Sequence, residues 1–303
     1  MRKVQQTCFV IPIRDDYESA HHILKEIQNS IKVNFDNLLE YRVLLVDDGS
    51  DNESITKQSQ ILNEFSHVEI LRLESRLGHQ SAIYLGLQHV ATSFENTNVV
   101  ILDGDGEDRP MDALDLANHL IVSKKSVICA RRLSRDVGTR FRVGYRIFTW
   151  AFRRLVGFDF RSGNFMAISS EYLNVVLGFS GIRNHVAAAV VRYSSNIAFM
   201  EYDRGSRFAG KSKMNFSNLT LHGYGAFSVY ADILLARICL GLFAFSAIVS
   251  VLVVLIAGLR LFGVGHFMTG WTSSILLQMV SLIVILTTNS ILILLLLLKV
   301  DKK

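Results

Sequence analysis

The stretch Asn98–Pro110, NVVILDGDGEDRP, decides how the chain folds. A largely apolar, β-favouring run, Asn98–Leu102, passes directly into an acidic, glycine-broken loop closed by a proline. Such a run bounded by turn residues reads as a buried strand. Arg42–Ser50, RVLLVDDGS, has the same shape. Working outward, apolar runs recur at Thr7–Ile13, Val68–Leu73 and Ser126–Ala130. Helical patterns lie between them at Tyr17–Ile31, Ser54–Glu64, Gln80–Ala91 and Met111–Ser123. This alternation predicts an α/β domain with a doubly wound, mostly parallel sheet. Ligands of such sheets bind outside the carboxyl ends of the strands. The polar residues that follow the strands are therefore the candidate site.

Alternate residues of an extended chain project the same way, so Asp103 and Asp105 are expected to face one cation. Glu107 continues the spacing as a third candidate ligand. Hard carboxylate oxygens suit Mg²⁺ or Mn²⁺, which in turn bridge a diphosphate. Asp47-Asp48-Gly49-Ser50 alone could be an ordinary Asp-Gly turn. Two acidic strand ends on one sheet edge favour an active cleft. The chain has two prolines: Pro12 closes the first strand and Pro110 the loop after the fourth. No G-x-G-x-x-G follows the first strand, so no dinucleotide cofactor is expected.

The formal net charge is +5, which suits an anionic partner. Basic residues cluster in Arg131–Arg154 and Arg204–Lys213 without any nucleic-acid-binding motif, so nucleic acid is not an expected partner. Gly205–Ser212, GSRFAGKS, matches the P-loop pattern letter for letter. A true P-loop needs a helix start after it, and Met214–Asn218 is a poor one. Its cations nevertheless suit phosphate. Cys8, Cys129 and Cys239 are isolated in apolar runs and read as buried structural thiols.

Ile238–Leu259 and Ile275–Leu298 contain no charged residue and have 22 and 24 residues. As helices each reaches roughly 33–36 Å at about 1.5 Å per residue, enough to cross a bilayer core. Arg237 precedes the first, while Lys299, Lys302 and Lys303 follow the second. That bias places both ends in the cytoplasm. No long apolar stretch opens the chain, so no signal peptide is expected. Residues 1–230 are expected to be a cytoplasmic catalytic domain and 231–303 a membrane domain. Gln278 and Asn289 within the spans are expected to hydrogen-bond between helices. Arg140–Gly157 carries five arginines off an apolar stripe of Phe141, Tyr145, Phe148, Phe152 and Leu155. It fits an amphipathic helix on an anionic membrane surface, with 215–232 as a second such segment.

These motifs together resemble glycosyltransferase family 2, of GT-A fold. The nearest subgroup is the polyprenyl-phosphate glycosyltransferases, similar to dolichol-phosphate mannose synthases and bactoprenol glucosyltransferases. Val46–Asp51 matches V-D-D-G-S-x-D with its last Asp shifted by one. Asp103–Pro110 matches D-x-D-x-Q-D-x-P, and Gly78–Ala82 matches G-[HK]-[QE]-x-A. Arg204 through Met214 matches R-x-x-R-x-x-G-x-S-K-[YM] and accounts for the false P-loop. The resemblance implies that Asp48 contacts the nucleobase, with Pro12, Asp16, Gly78 and His79 also on the donor. It implies that Asp103 and Asp105 hold the metal and the donor diphosphate. Arg131, Arg204, Arg207, Ser212 and Lys213 would bind donor and acceptor phosphates, beside Asn164. Asp103, Asp105 and Arg207 would be catalytic. Four positions depart from the pattern. The P-x-Y-N-E motif reads Pro12-Ile13-Arg14-Asp15-Asp16, and N-F-G reads Arg76-Leu77-Gly78. Glu107 stands where the family has Gln, and Asn164 where it has Asp in S-G-D-F.

The resemblance implies inverting, metal-dependent transfer from a UDP- or GDP-sugar to undecaprenyl or dolichyl phosphate. The setting expected is a bacterial inner membrane. A homo-oligomer is compatible with this plan. A processive polysaccharide synthase is disfavoured, because Q-x-x-R-W is missing: Trp150 follows Thr149 and Trp271 follows Gly270. A non-enzymatic phosphate-binding membrane module is the remaining alternative.

Overall fold

The computed structural model describes residues 6–34, 40–51, 54–132, 153–154, 156, 162–203, 205–208, 216–263 and 270–300. The chain divides into two units. One contains Met1–Thr149 and Asp159–Val229, the other Trp150–Phe158 and Tyr230–Lys303.

In the first unit β1 (Gln6–Ile13), α1 (Tyr17–Asn34), β2 (Tyr41–Asp47), α2 (Ser54–Glu64) and β3 (Val68–Arg72) alternate in sequence. Then come α3 (His79–Ser93), β4 (Thr97–Ile101), α4 (Pro110–Ser123) and β5 (Val127–Arg132). After these lie β6 (Ser162–Ile168), α5 (Ser170–Leu177), α6 (Val186–Tyr193), β7 (Ile197–Tyr202) and α7 (Phe216–Val229). The sheet order is β3-β2-β1-β4-β6-β5-β7. All neighbours are parallel except that β6 runs antiparallel to both β4 and β5. The sheet is thus mixed and mostly parallel.

Every residue of β4 is buried, as is every residue of β1 after Gln6. Helices cover both faces of such a sheet, so its strands read as continuous apolar runs instead of alternating ones. Phe9, Ile11 and Leu45 share one core with Ile23 and Ile27 of α1 and Leu116 of α4. Each such burial contributes about 1.5–3 kcal/mol. From β1 the chain winds outward through β2 to β3, then returns to place β4 on the other side of β1. The carboxyl ends of β1 and β4 therefore flank the point where strand order reverses, the usual ligand crevice of an open α/β sheet.

Cys8, Cys129 and Cys239 are all buried. Desolvation pushes the Cys8 and Cys129 thiols up to about 12, which makes both inert at neutral pH.

In the second unit, α8 (Ala231–Leu261) and α9 (Trp271–Val300) contain the two apolar runs. By length and composition both could cross a membrane. Each side-chain hydroxyl of Ser281, Thr287, Thr288 and Ser290 donates to a carbonyl on the preceding turn. The apolar helix thereby satisfies these groups internally.

Candidate active site

Loops from β1, β2 and β4 meet at the crevice. Asp15 adopts φ 54°, and its amide donates to Ser50 Oγ at 2.8 Å. Asp51 N donates back to Asp15 Oδ1 at 3.1 Å. Asp47 is buried: its carboxylate accepts from Ser50 N, Ser50 Oγ and Tyr17 Oη. Asp48 accepts the amides of Leu77 and Gly78 at 2.7 and 3.0 Å, fixing the loop that launches α3. Beside these loops lies a cavity of about 300 Å³ whose lining includes Gly49, Ser50, Arg72, Leu73, Ser75 and Arg76.

After β4 the chain does not continue as a strand. Residues 102–109 form a loop that turns at 104–105 and bends through 106–108, so the expected two-residue alternation does not position Asp103 and Asp105. Hydrogen bonds do. Asp108 is buried and its Oδ2 accepts the Asp103 amide at 3.0 Å. Asp105 Oδ1 accepts the Glu107 amide at 3.0 Å, an Asx-type turn. Gly104 brings this loop against β1: a Cβ there would lie 2.8 Å from both the Pro12 carbonyl and Ile13 Cγ2. Gly104→Ala is expected to lose about 1–3 kcal/mol through overpacking, read as an earlier denaturant midpoint with unchanged slope. An unshifted midpoint would show that the loop is free to move off β1.

The segment 205–208 lies along the acidic loop. The Gly205 amide donates to the Glu107 carbonyl at 2.9 Å, and the Phe208 amide to the Asp105 carbonyl at 3.1 Å. Arg207 Nη2 stands 2.6 Å from Asp105 Oδ2, and its Nε 3.5 Å from Glu107 Oε1. Phe208 fills the space above Gly106, where φ is +87° and a Cβ would collide with the ring. The start of the false P-loop thus belongs to the acidic loop.

His79, at the first turn of α3, reaches the same place. Its Nε2 lies 3.3 Å from Asp103 Oδ1 and 3.3 Å from the side-chain amide of Asn164 on β6. Partial desolvation against the neighbouring loops opposes its charge, but Asp103, Asp105 and Asp108 outweigh that and raise the half-exposed imidazole above its ordinary value. Arg131, near the end of β5, stacks over the Phe199 ring at 4.0 Å. Pro12 and Asp16 sit on the β1 side of the crevice, where the Asp16 carbonyl receives the Ala20 amide.

Direct contacts therefore join residues 79, 103 and 164 in one set and 105, 107 and 207 in another, with the loop after β4 contributing to both. Arg204, Ser212 and Lys213 lie outside the described residues. So does 140–157 apart from Arg153, Arg154 and Val156. Residue types and spacing gave no role to Asp108, which anchors Asp103, or to Phe208. Their contacts are within and between loops, where no periodicity signals them.

The carboxylates fit a hard divalent cation chemically: Asp105 and Glu107 already draw in a guanidinium. Among the described residues, however, no three His, Cys, Asp or Glu side chains form a metal cage. The expected three-carboxylate set is not preassembled, because the Asx turn replaces the extended geometry assumed for it. A site of one or two carboxylates suits Mg²⁺-type ions, which take their remaining ligands from phosphate and water.

The pattern described as Glycosyl transferase family 2 matches residues 8–184. The uncharacterized glycosyltransferase YkcC of Bacillus subtilis (strain 168) is 25% identical over 290 residues, covering 91% of this chain and 83% of that protein. The undecaprenyl-phosphate 4-deoxy-4-formamido-L-arabinose transferase of Enterobacter sp. (strain 638) is 30% identical over 110 residues. That match covers 35% of this chain and 31% of the other. Among solved structures, the fold resembles glucosyl-3-phosphoglycerate synthase from Mycobacterium tuberculosis in complex with Mn²⁺, uridine diphosphate and phosphoglyceric acid. The TM-score is 0.53 at 17% identity, over 77% of this chain and 78% of that one.

Proposed function

This chain belongs to glycosyl transferase family 2, and from that premise we propose that it transfers a sugar from a nucleotide-sugar to a polyprenyl phosphate. The observation that carries this reading is the contact of Arg207 with Asp105 at 2.6 Å. It brings a cation suited to an acceptor phosphate against a carboxylate suited to the donor's metal–diphosphate. The two apolar helices support a lipid-borne acceptor, as does the Enterobacter relative, whose name specifies undecaprenyl phosphate.

The nucleoside of a UDP- or GDP-sugar would occupy the cavity beside Gly49, Arg72 and Arg76. Asp48 acts there by holding the Leu77–Gly78 backbone. Asp103 and Asp105 would hold Mg²⁺ or Mn²⁺, which offsets the charge of the departing diphosphate. Glu107 supports the same loop. Arg207, with Arg204, Ser212 and Lys213, orients the acceptor phosphate. Arg131 and Asn164 line the same edge.

In the reaction a phosphate oxygen of the lipid attacks the anomeric carbon. The bond from that carbon to the diphosphate oxygen breaks, its electron pair leaves with the nucleoside diphosphate, and configuration inverts. A monophosphate is largely ionised at neutral pH, with a second pKa near 6. Positioning therefore suffices, and the amide of Asn164 in place of a carboxylate is no obstacle. Residues 1–230 form the catalytic domain of this proposal. Residues 231–303 form a membrane anchor, with both termini cytoplasmic, in a bacterial inner membrane.

The test is a donor screen on the purified full chain with Mg²⁺ or Mn²⁺. The acceptors are undecaprenyl or dolichyl phosphate and, as the soluble comparison, 3-phosphoglycerate. The expected product is a lipid-phosphate-linked sugar with one donor class. Transfer to the soluble acceptor alone would refute the acceptor assignment.

A further inference from the structure

Gln278 and Asn289 stand 11 residues apart on α9, which at about 100° per residue returns them to within about 20° of the same face. Both are exposed. Between and beyond them on that face lie Leu282, Ile285 and Leu292, exposed at 39%, 56% and 55%. The set 278, 282, 285, 289, 292 advances by four and three in turn, the a/d spacing of a helix–helix seam. This face is not the one packed on α8. That contact uses Ser290, fully buried, whose carbonyl accepts from Cys239 Sγ at 3.4 Å.

The hydroxyls of Ser281, Thr287, Thr288 and Ser290 satisfy themselves on the backbone of α9, but the two side-chain amides make no hydrogen bond among the described residues. Hydrocarbon supplies no donor or acceptor, so polar groups at that depth seek protein partners. We infer that this seam is an interface with a second copy of the chain, in which Gln278 pairs with Gln278 and Asn289 with Asn289. Each amide carries both donor and acceptor and can pair with its own kind. Two copies inserted with the same topology lie parallel, so identical residues meet at the same depth about a twofold axis. The two levels are separated by about 16 Å along the helix. An unrelated helix would need amides at that same separation to satisfy both.

This inference rests on α9 spanning a bilayer, and alkaline carbonate extraction tests that premise separately from the interface. Full-length Ile285→Cys in native membranes is expected to give an oxidative cross-link at twice the chain mass. Val284→Cys, about 100° round the helix, is equally exposed at 57% and should not. In reconstituted vesicles, Gln278→Leu together with Asn289→Leu should weaken self-association, measured by energy transfer on lipid dilution. The expected loss is roughly 3- to 30-fold per amide. Equal cross-linking at both positions, a product of another mass, or undiminished association of the double variant would overturn the interface. Release of the chain by carbonate would overturn its premise.

Discussion

Asp105→Asn is expected to lower turnover by about 10²–10³-fold, the usual cost of removing one preorganised electrostatic group. The substitution keeps shape and removes charge. An Asn oxygen can still accept the Glu107 amide, which Asp105 Oδ1 now holds at 3.0 Å. The loop should therefore keep its turn. What disappears is the carboxylate facing Arg207 at 2.6 Å. The Asn amide can turn only an NH₂ group or a neutral oxygen toward that guanidinium. Mn²⁺ affinity, read by electron paramagnetic resonance of the free ion, should fall together with turnover. The unfolding transition should move little, because the turn and the backbone bonds from Gly205 and Phe208 remain. Undiminished turnover of purified Asp105→Asn would sink the mechanism. Lost turnover with unaltered Mn²⁺ affinity would remove Asp105 from the metal and leave it a partner of Arg207 alone.

Most of the sheet was legible because its buried strands carry a continuous apolar signal. The runs at Thr7–Ile13 and Asn98–Leu102 lie within a residue of β1 and β4. The strand β6, Ser162–Ile168, was not legible as one. It opens with Ser-Gly-Asn and enters between β4 and β5 antiparallel to both. Its place depends on partners 65–69 residues upstream in β4 and 31–41 residues upstream in β5, which no local period records. The site divides in the same way. Strand-end carboxylates announced themselves, and motif resemblance brought in His79 and Asn164. The convergence of Asp103 and Asn164 on His79 Nε2 is a tertiary fact: three elements meet there, each contact at 3.3 Å. The acidic pair departs from the extended geometry that its spacing predicts, because glycines and Asx bonding make a turn there.

Arg207→Ala is expected to separate the two halves of the site that Asp105→Asn would damage together. Arg207 is mostly buried, 23% exposed, against an Asp105 side chain 17% exposed. In such surroundings two unit charges at 4 Å attract by about 4 kcal/mol before desolvation is counted, and desolvation cancels much of it. The guanidinium is therefore a competitor for the carboxylate as well as a phosphate ligand. Removing it should leave free-enzyme Mn²⁺ affinity unchanged or tighter. Turnover with polyprenyl phosphate should fall about 10²-fold or more, because no fork remains to hold the nucleophile in line. Arg207→Lys should recover part of that loss: an ammonium restores charge without bidentate geometry. The decisive measurement is Mn²⁺ affinity and turnover on the same three proteins. If Arg207→Ala lost Mn²⁺ binding in step with turnover, Arg207 would be a brace for the acidic loop. If it lost neither, the contact at 2.6 Å would be incidental to transfer, and the acceptor phosphate would have to be held elsewhere.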